Sequence, residues 1–343
     1  MNTITKEVAM TVLFVVLIIT VVLVNGWTDA PSAVAGCISG RAFTPPVALR
    51  MAAACNFLGA VFMAIINPSV AKTVYGIADF DGSKEIAVCS ICAGLLSVIL
   101  WAVITAKLGI PTSESHALIS GLTGAAVANG MSLDAIQTEE WKAVLIGLLM
   151  ATLPTALLAF ILYRLTIKIF ADQNRRGAMQ YFVRAQRLGA CCGAFMHGAQ
   201  DSQKFMGVYL LGISVLSDKS YGNMERIPLY VVLSCAAVMT AGTLLGGMKI
   251  IKKVGCDMTA LDAAGGSTAD TASSAVMAVC SFFGIPAATT QAKSCAMMGV
   301  GISQKNGIDA KIAAELIVAW ILTFPVCGGI GFTVSYISLL FLR

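Results

Sequence analysis

The sequence predicts an all-α polytopic membrane protein of two inverted-topology repeats, with broken helices or helical hairpins at mid-membrane. Composition, an internal repeat and the loop charges carry that expectation. The 343 residues are 57% hydrophobic and 12% charged, with a mean hydropathy of +0.83. A soluble chain usually carries about 25% charged residues.

Apolar runs long enough to cross a hydrocarbon layer of about 30 Å fall at 8–24, 47–66, 86–106, 143–163, 187–215, 228–247 and 311–341. Two shorter segments rich in small residues occupy 112–130 and 286–303. The runs are continuous rather than alternating, so they read as helices and not as barrel strands. The first run is too long for a signal peptide, and the chain beyond it is equally apolar. The net charge of +5 sits in short loops, where it reads as an orientation signal and not a nucleic-acid surface. Eleven cysteines include a lone Cys89-x-x-Cys92 and the vicinal pair Cys191-Cys192. They read as small buried helix residues rather than a metal or disulfide framework.

Self-similarity is plain. Asn25-Gly26-Trp27-Thr28-Asp29-Ala30 aligns with His197-Gly198-Ala199-Gln200-Asp201-Ser202 at an offset of 172, and GIPTSESHALISGLTG at 109–124 aligns with GIPAATTQAKSCAMMG at 284–299 at an offset of 175. Two matches in one order imply a duplicated unit. The expected organisation is a first repeat over 1–163, a basic linker over 164–186 forming a short surface helix, and a second repeat over 187–343.

Loop charges set the orientation. The linker region carries Arg164, Lys168, Arg175, Arg176, Arg184 and Arg187 against Asp172, which places it in the cytoplasm. Asp134, Glu139 and Glu140 then fall outside, while Arg41, Arg50, Lys249, Lys252 and Lys253 fall inside. These assignments agree only if 112–130 and 286–303 each cross once. Each half then crosses five times, the halves run in opposite senses, and both termini lie outside. This is the plan of secondary transporters, whose sites sit near the midplane where helices are interrupted. Both the 25–31 and the 197–207 stretches are expected to be such interruptions.

Charges inside a bilayer are costly and usually line a pathway. The candidates are Asp29, Glu114, Asp201, Lys204, Asp270 and Lys293, with His116 and His197 beside them. Pro111 and Pro286 suit the first position of a helix, and Thr112, Ser113, Ser115, Thr289 and Thr290 follow them with hydroxyls beside free backbone amides. Such a helix start binds anions. Carboxylates for a coupling cation beside a seat for an anion point to an anion symporter.

The whole chain resembles the inorganic phosphate transporter (PiT) family. Its Gly-x-Asn-Asp signatures match 25–30 and 197–202, its Pro-x-Ser-x-Ser-His helix start matches Pro111 to His116, and the second copy matches Pro286 to Gln291. The segment VAWILTFPVCGG at 318–329 is similar to the family's last span. The resemblance implies a cell-membrane permease that imports phosphate with Na+ or H+ by alternating access, as a homodimer, with no resident cofactor. By position it implies that Asn25, Thr28, Asp29, Gln200, Asp201 and Asp270 hold the coupling cations. Ser113, Ser115, Thr112, Thr289 and Thr290 would face the oxyanion, joined by Gln203 and Lys204 of the Asp-x-Gln-Lys element. Glu114, His116 and His197 would modulate the site.

Several positions depart from the family pattern. Thr28 and Gln200 replace the asparagine before each signature aspartate, Gln291 replaces the second histidine, and Lys293 stands where an apolar residue is usual. Lys293 is expected to supply a fixed positive charge that substitutes for one coupling cation or holds the anion directly, with Glu114 balancing it. Sulfate is the rival substrate. An intramembrane hydrolase built on Ser113 or Ser115 with His116 shows no strained nucleophile turn, and a channel suits two interrupted helices around one charged centre poorly.

Overall fold

The computed structural model describes residues 3–80, 83–130, 132–217, 219–222, 225–259, 261–304 and 307–342. Residues 1, 2 and 343, on which the expectation for the termini falls, lie outside them, as does the side chain of Arg175.

The first half contains α1 (Thr3–Thr28), α2 (Ala35–Ser39), α3 (Pro45–Ile66), α4 (Ser69–Tyr75), α5 (Lys84–Leu108), α6 (Glu114–Gly130), α7 (Thr138–Ala151) and α8 (Leu153–Ile169). The second contains α9 (Arg175–Ser217), α10 (Leu229–Leu245), α11 (Met248–Lys252), α12 (Ala263–Phe282), α13 (Thr289–Ser303) and α14 (Ala310–Leu342). Five stretches, Lys6–Ser39, Pro45–Ile66, Lys84–Leu108, Thr138–Ile169 and Ala310–Phe341, are long and apolar enough to cross a bilayer. The pair Leu229–Leu245 and Met248–Asp257, bent by 67°, makes a sixth. Three of the remaining helices are less apolar because they face protein: α6 and α13 bury nearly every residue of their length, and α12 buries most of its own.

The halves run in opposite senses. The ring of Phe14 lies where a Cβ on Gly212 would stand, and Asp29 lies beside Asp201. Residue numbers thus rise along α1 as they fall along α9. The contacts between halves are reciprocal. Gly26 of α1 meets the Met239 carbonyl of α10, and its repeat counterpart Gly198 of α9 meets the Asn56 carbonyl of α3. Gly124 of α6 meets Gly328 of α14, and its counterpart Gly299 of α13 meets Ala156 of α8. An added Cβ at any of the four would come within 2.1–2.2 Å of a carbonyl oxygen. Small residues let these backbones touch, as membrane helix pairs require.

The hairpins are the other shared device. In α5–α6, Gly94 packs on Leu122 and the Thr105 hydroxyl lies 3.2 Å from that of Thr112. In α12–α13, Gly265 packs on Val300 and Gln304 donates to Asp262 at 2.9 Å. Gly109 and Gly284, both at φ +69, occupy the left-handed turn that ends the outgoing helix of each hairpin.

Three expectations are corrected. No apolar run marks α12, yet it is a 20-residue helix of the second half; its Ala, Gly, Ser and Thr side chains suit a helix largely enclosed by others. The expected short linker helix is absent, because α8 continues to Ile169 and α9 begins at Arg175 and runs for 43 residues, about 65 Å at 1.5 Å per residue. The break expected at 197–207 does not occur either, since α9 passes through it unbroken. Only the first copy is interrupted, where Pro31 has no N–H to continue the ladder and the chain tightens into a 3-10 turn over Ala30–Val34.

Candidate functional site

The interruption after α1 places Asn25, Thr28 and Asp29 at the centre of the molecule, all buried. Asp29, His197 and Asp201 each present a ligand atom within 4.8 Å of the others. Asn25 Nδ2 is 3.5 Å from Asp29 Oδ2, a long contact. Asn25 Oδ1, Asp29 Oδ1 and Glu114 Oε2 have no hydrogen-bond partner among the described residues. Buried oxygens are rarely left so, and the group whose ligand atoms lie together and could hold a cation is Asp29, His197 and Asp201. The Thr28 hydroxyl lies against the Val24 carbonyl, at 2.7 Å, and against the Glu114 carboxylate.

Asp201 is held on every side. Lys204 Nζ donates to its Oδ1 at 2.6 Å, the Thr289 hydroxyl donates to its Oδ2 at 3.0 Å, and His197 Nε2 is 3.2 Å from Oδ2. The other ring nitrogen of His197 is 3.1 Å from Asn56 Oδ1, and Asn56 donates to Thr243 at 3.0 Å. Lys204 also donates to Ser115 Oγ at 2.6 Å and to the Ala287 carbonyl at 2.5 Å. All three ammonium hydrogens are therefore used, tying α9 to the tips of both hairpins. This leaves Lys204 none to offer an anion here.

The starts of α6 and α13 face each other across this cluster, with Gln291 Nε2 3.5 Å from His116 Nδ1. His116 stacks on Phe324, with ring centroids 4.7 Å apart. Ser113 Oγ accepts from the His116 amide at 3.2 Å, which caps α6. At α13 the residue before Thr289 is Ala288, and it provides no side-chain cap. The first amides of a helix have no partner within it. The hydroxyls of Thr290 and Ser294 are likewise buried without partners among the described residues. Free donors at a buried helix start suit an oxyanion.

Other sequence candidates lie elsewhere. Thr112 faces Thr105 on α5. Gln200 donates to Ser281 at 2.9 Å and accepts from the Ala287 amide at 3.4 Å, bracing the loop before α13. Gln203 donates to the Asn67 carbonyl at 3.0 Å and accepts from the Ala71 amide at 3.3 Å, so it secures the joint between α3 and α4. The expected balance of Lys293 by Glu114 is also corrected. Lys293 pairs with Asp270, because α12 runs alongside α13 whereas Glu114 turns toward Thr28. Asn56 and Phe324 were missed by sequence reasoning. Asn56 is a lone amide inside the apolar run at 47–66, a signal that a search weighted toward charge passes over.

Inverted repeats, paired hairpin tips and a buried charged centre define a membrane transport protein for a small ionic solute. The sequence profile of the phosphate transporter family matches residues 25–181 and 167–331, and the chain belongs to that family. It is 30% identical over 323 residues to a Bacillus subtilis protein described as a "probable low-affinity inorganic phosphate transporter", covering 94% of this chain and 95% of that one. A Mycobacterium tuberculosis protein with the same description is 32% identical over 334 residues, covering 93% of this chain and 76% of the relative. A solved structure described as "the sodium-dependent phosphate transporter" superposes with a TM-score of 0.85 at 18% identity, covering 97% of this chain and 99% of the other. The chain is a multi-pass membrane protein and a phosphate transporter by family.

Proposed function

We propose that the chain imports inorganic phosphate by symport with Na+ or H+, through alternating access. The reading rests on one observation: an uncapped, buried start of α13 lies beside carboxylate and amide oxygens that lack partners. The anion takes the amides at Thr289 and Thr290 and the Thr290 hydroxyl, with Ser113 and Ser115 opposite, while Asp29 and Asp201 hold the cations. Cations are needed because the buried residues include four carboxylates, Asp29, Glu114, Asp201 and Asp270, against two lysines, Lys204 and Lys293. A multiply charged anion cannot enter such a centre unless further positive charge comes with it.

Phosphate suits the site better than sulfate. Near neutral pH phosphate retains a hydrogen to donate, and Glu114 Oε2 and Asn25 Oδ1 are acceptors without donors. On this reading the chain lies in the cell membrane with its basic loops inside and both termini outside. The test is uptake of labelled phosphate and labelled sulfate into proteoliposomes with Na+ and pH gradients imposed separately. Phosphate should accumulate only under an inward cation gradient. Accumulation independent of both gradients, or of sulfate in preference, overturns the proposal.

A further inference from the structure

The second half carries a buried charge pair that the first half lacks. Asp270 of α12 and Lys293 of α13 form an ion pair, with their side chains 0% and 5% exposed. At the offset of 175 that relates α6 to α13, Lys293 corresponds to Leu118, a fully buried core residue. A leucine would serve packing alone. Two charges placed inside a membrane protein carry a desolvation cost that packing does not explain.

The position of the ammonium suggests its use. Thr289 and Lys293 are four residues apart and share one face of α13. That face, with Ser32 after α1, His197 of α9 and Ser274 of α12, lines a cavity of about 20 Å³, room for about one water. Ser274 Oγ has no partner among the described residues, and Thr289 also donates to Asp201. Lys293 therefore stands one turn along α13 from the proposed anion seat, on the wall of a cavity shared with the Asp201 and His197 group. A Cβ at Gly36 would come within 3.8 Å of its Nζ, and Asp270 packs against Gly189 of α9, so the pair lies among α2, α9, α12 and α13. Unlike Lys204, whose hydrogens are all committed, Lys293 has Asp270 as its one ionic partner among the described residues. Its four-carbon stem is flexible.

We propose that Lys293 is a built-in countercharge for the transported oxyanion. It rests on Asp270 and is shared with the anion as the anion passes the start of α13. This rests on the symport reading above.

The test uses the full chain in proteoliposomes, with phosphate uptake measured against concentration of whichever cation drives the wild type. The variants are K293R, D270N and the neutral pair K293M/D270N, which removes both charges together and leaves neither stranded. The neutral pair should raise the KM for phosphate about tenfold, the scale of losing one close charge contact, with the cation dependence unchanged because the pair carries no net charge. K293R should stay near wild type, and D270N, which leaves Lys293 to the anion, should lower KM and slow turnover. A purely structural pair predicts the wild-type KM in the neutral variant, and that result overturns the inference. If the neutral pair does not fold, an unchanged or raised KM in D270N overturns it instead. A wild type that takes up no phosphate under either gradient fails the symport reading, which is a different result.

Discussion

Residues 25–36 and 197–208 began as copies of one segment and now do opposite things. In the first copy the helix stops at Thr28, a 3-10 turn follows, and Asp29 keeps an oxygen without a partner. In the second the helix runs straight on, and Asp201 is bonded by Lys204 and Thr289 with His197 alongside. One residue pair explains the backbone difference. At the offset of 172, Pro31 corresponds to Gln203, and only the glutamine has an N–H to extend the ladder. Lys204, one residue further on, corresponds to Ser32, so the first aspartate has no neighbouring cation of its own. The difference is one of partners: the second copy is tied to the hairpin tips through Lys204, while the first keeps an acceptor without a partner among the described residues.

That contrast can be broken most severely at Asp201. D201N leaves the Lys204 ammonium buried without its charge partner, a change of about 3–5 kcal/mol. Thermal unfolding in detergent should shift down sharply, with phosphate uptake lost as well; a D201N protein as stable as wild type would mean the second copy is not the anchor. Next in size, Q203P would import the first copy's breaker into α9, removing an N–H and setting the ring against the Ala199 carbonyl at about 3 kcal/mol. Loss of helical signal and of thermal stability is the expected outcome, and an unaffected protein would show that α9 does not need continuity.

The smallest stability effect should come from D29N. With one oxygen already unpartnered and no lysine bonded to it among the described residues, this change should move stability less than D201N or Q203P does. Its functional effect should nevertheless be large. Coupling cation at a hundredfold excess over its Kd should stabilise the wild type by about 2.7 kcal/mol, and D29N should lose most of that gain along with uptake. A D29N protein still stabilised by the cation would move the cation site elsewhere.

Much of this was legible in the chain. The spacing of the two motifs implied that Asp29 and Asp201 would converge, and the odd number of crossings per half implied inversion. Other features could not be read. Helix α12 was invisible as an apolar run because hydropathy measures contact with lipid, and α12 touches mostly protein. The expected partner of Lys293 was Glu114, because both depart from the family pattern in paired copies of one motif, whereas the lateral packing of α12 on α13 brings up Asp270. Lys204 and Gln203 looked like anion ligands by motif, yet both are spent on joints between helices, Lys204 at the hairpin tips and Gln203 between α3 and α4.

The sequence by itself determined that the chain is a duplicated membrane protein, where its most apolar helices lie, and which acidic and hydroxyl residues it commits to the interior. These follow from local pattern: apolar length, repeat spacing, and the cost of charge in a bilayer. Only the tertiary structure decided which buried charges are satisfied and which are left open. That depends on which helices are neighbours, because a lysine inside the membrane takes whichever acceptor its packing brings within reach.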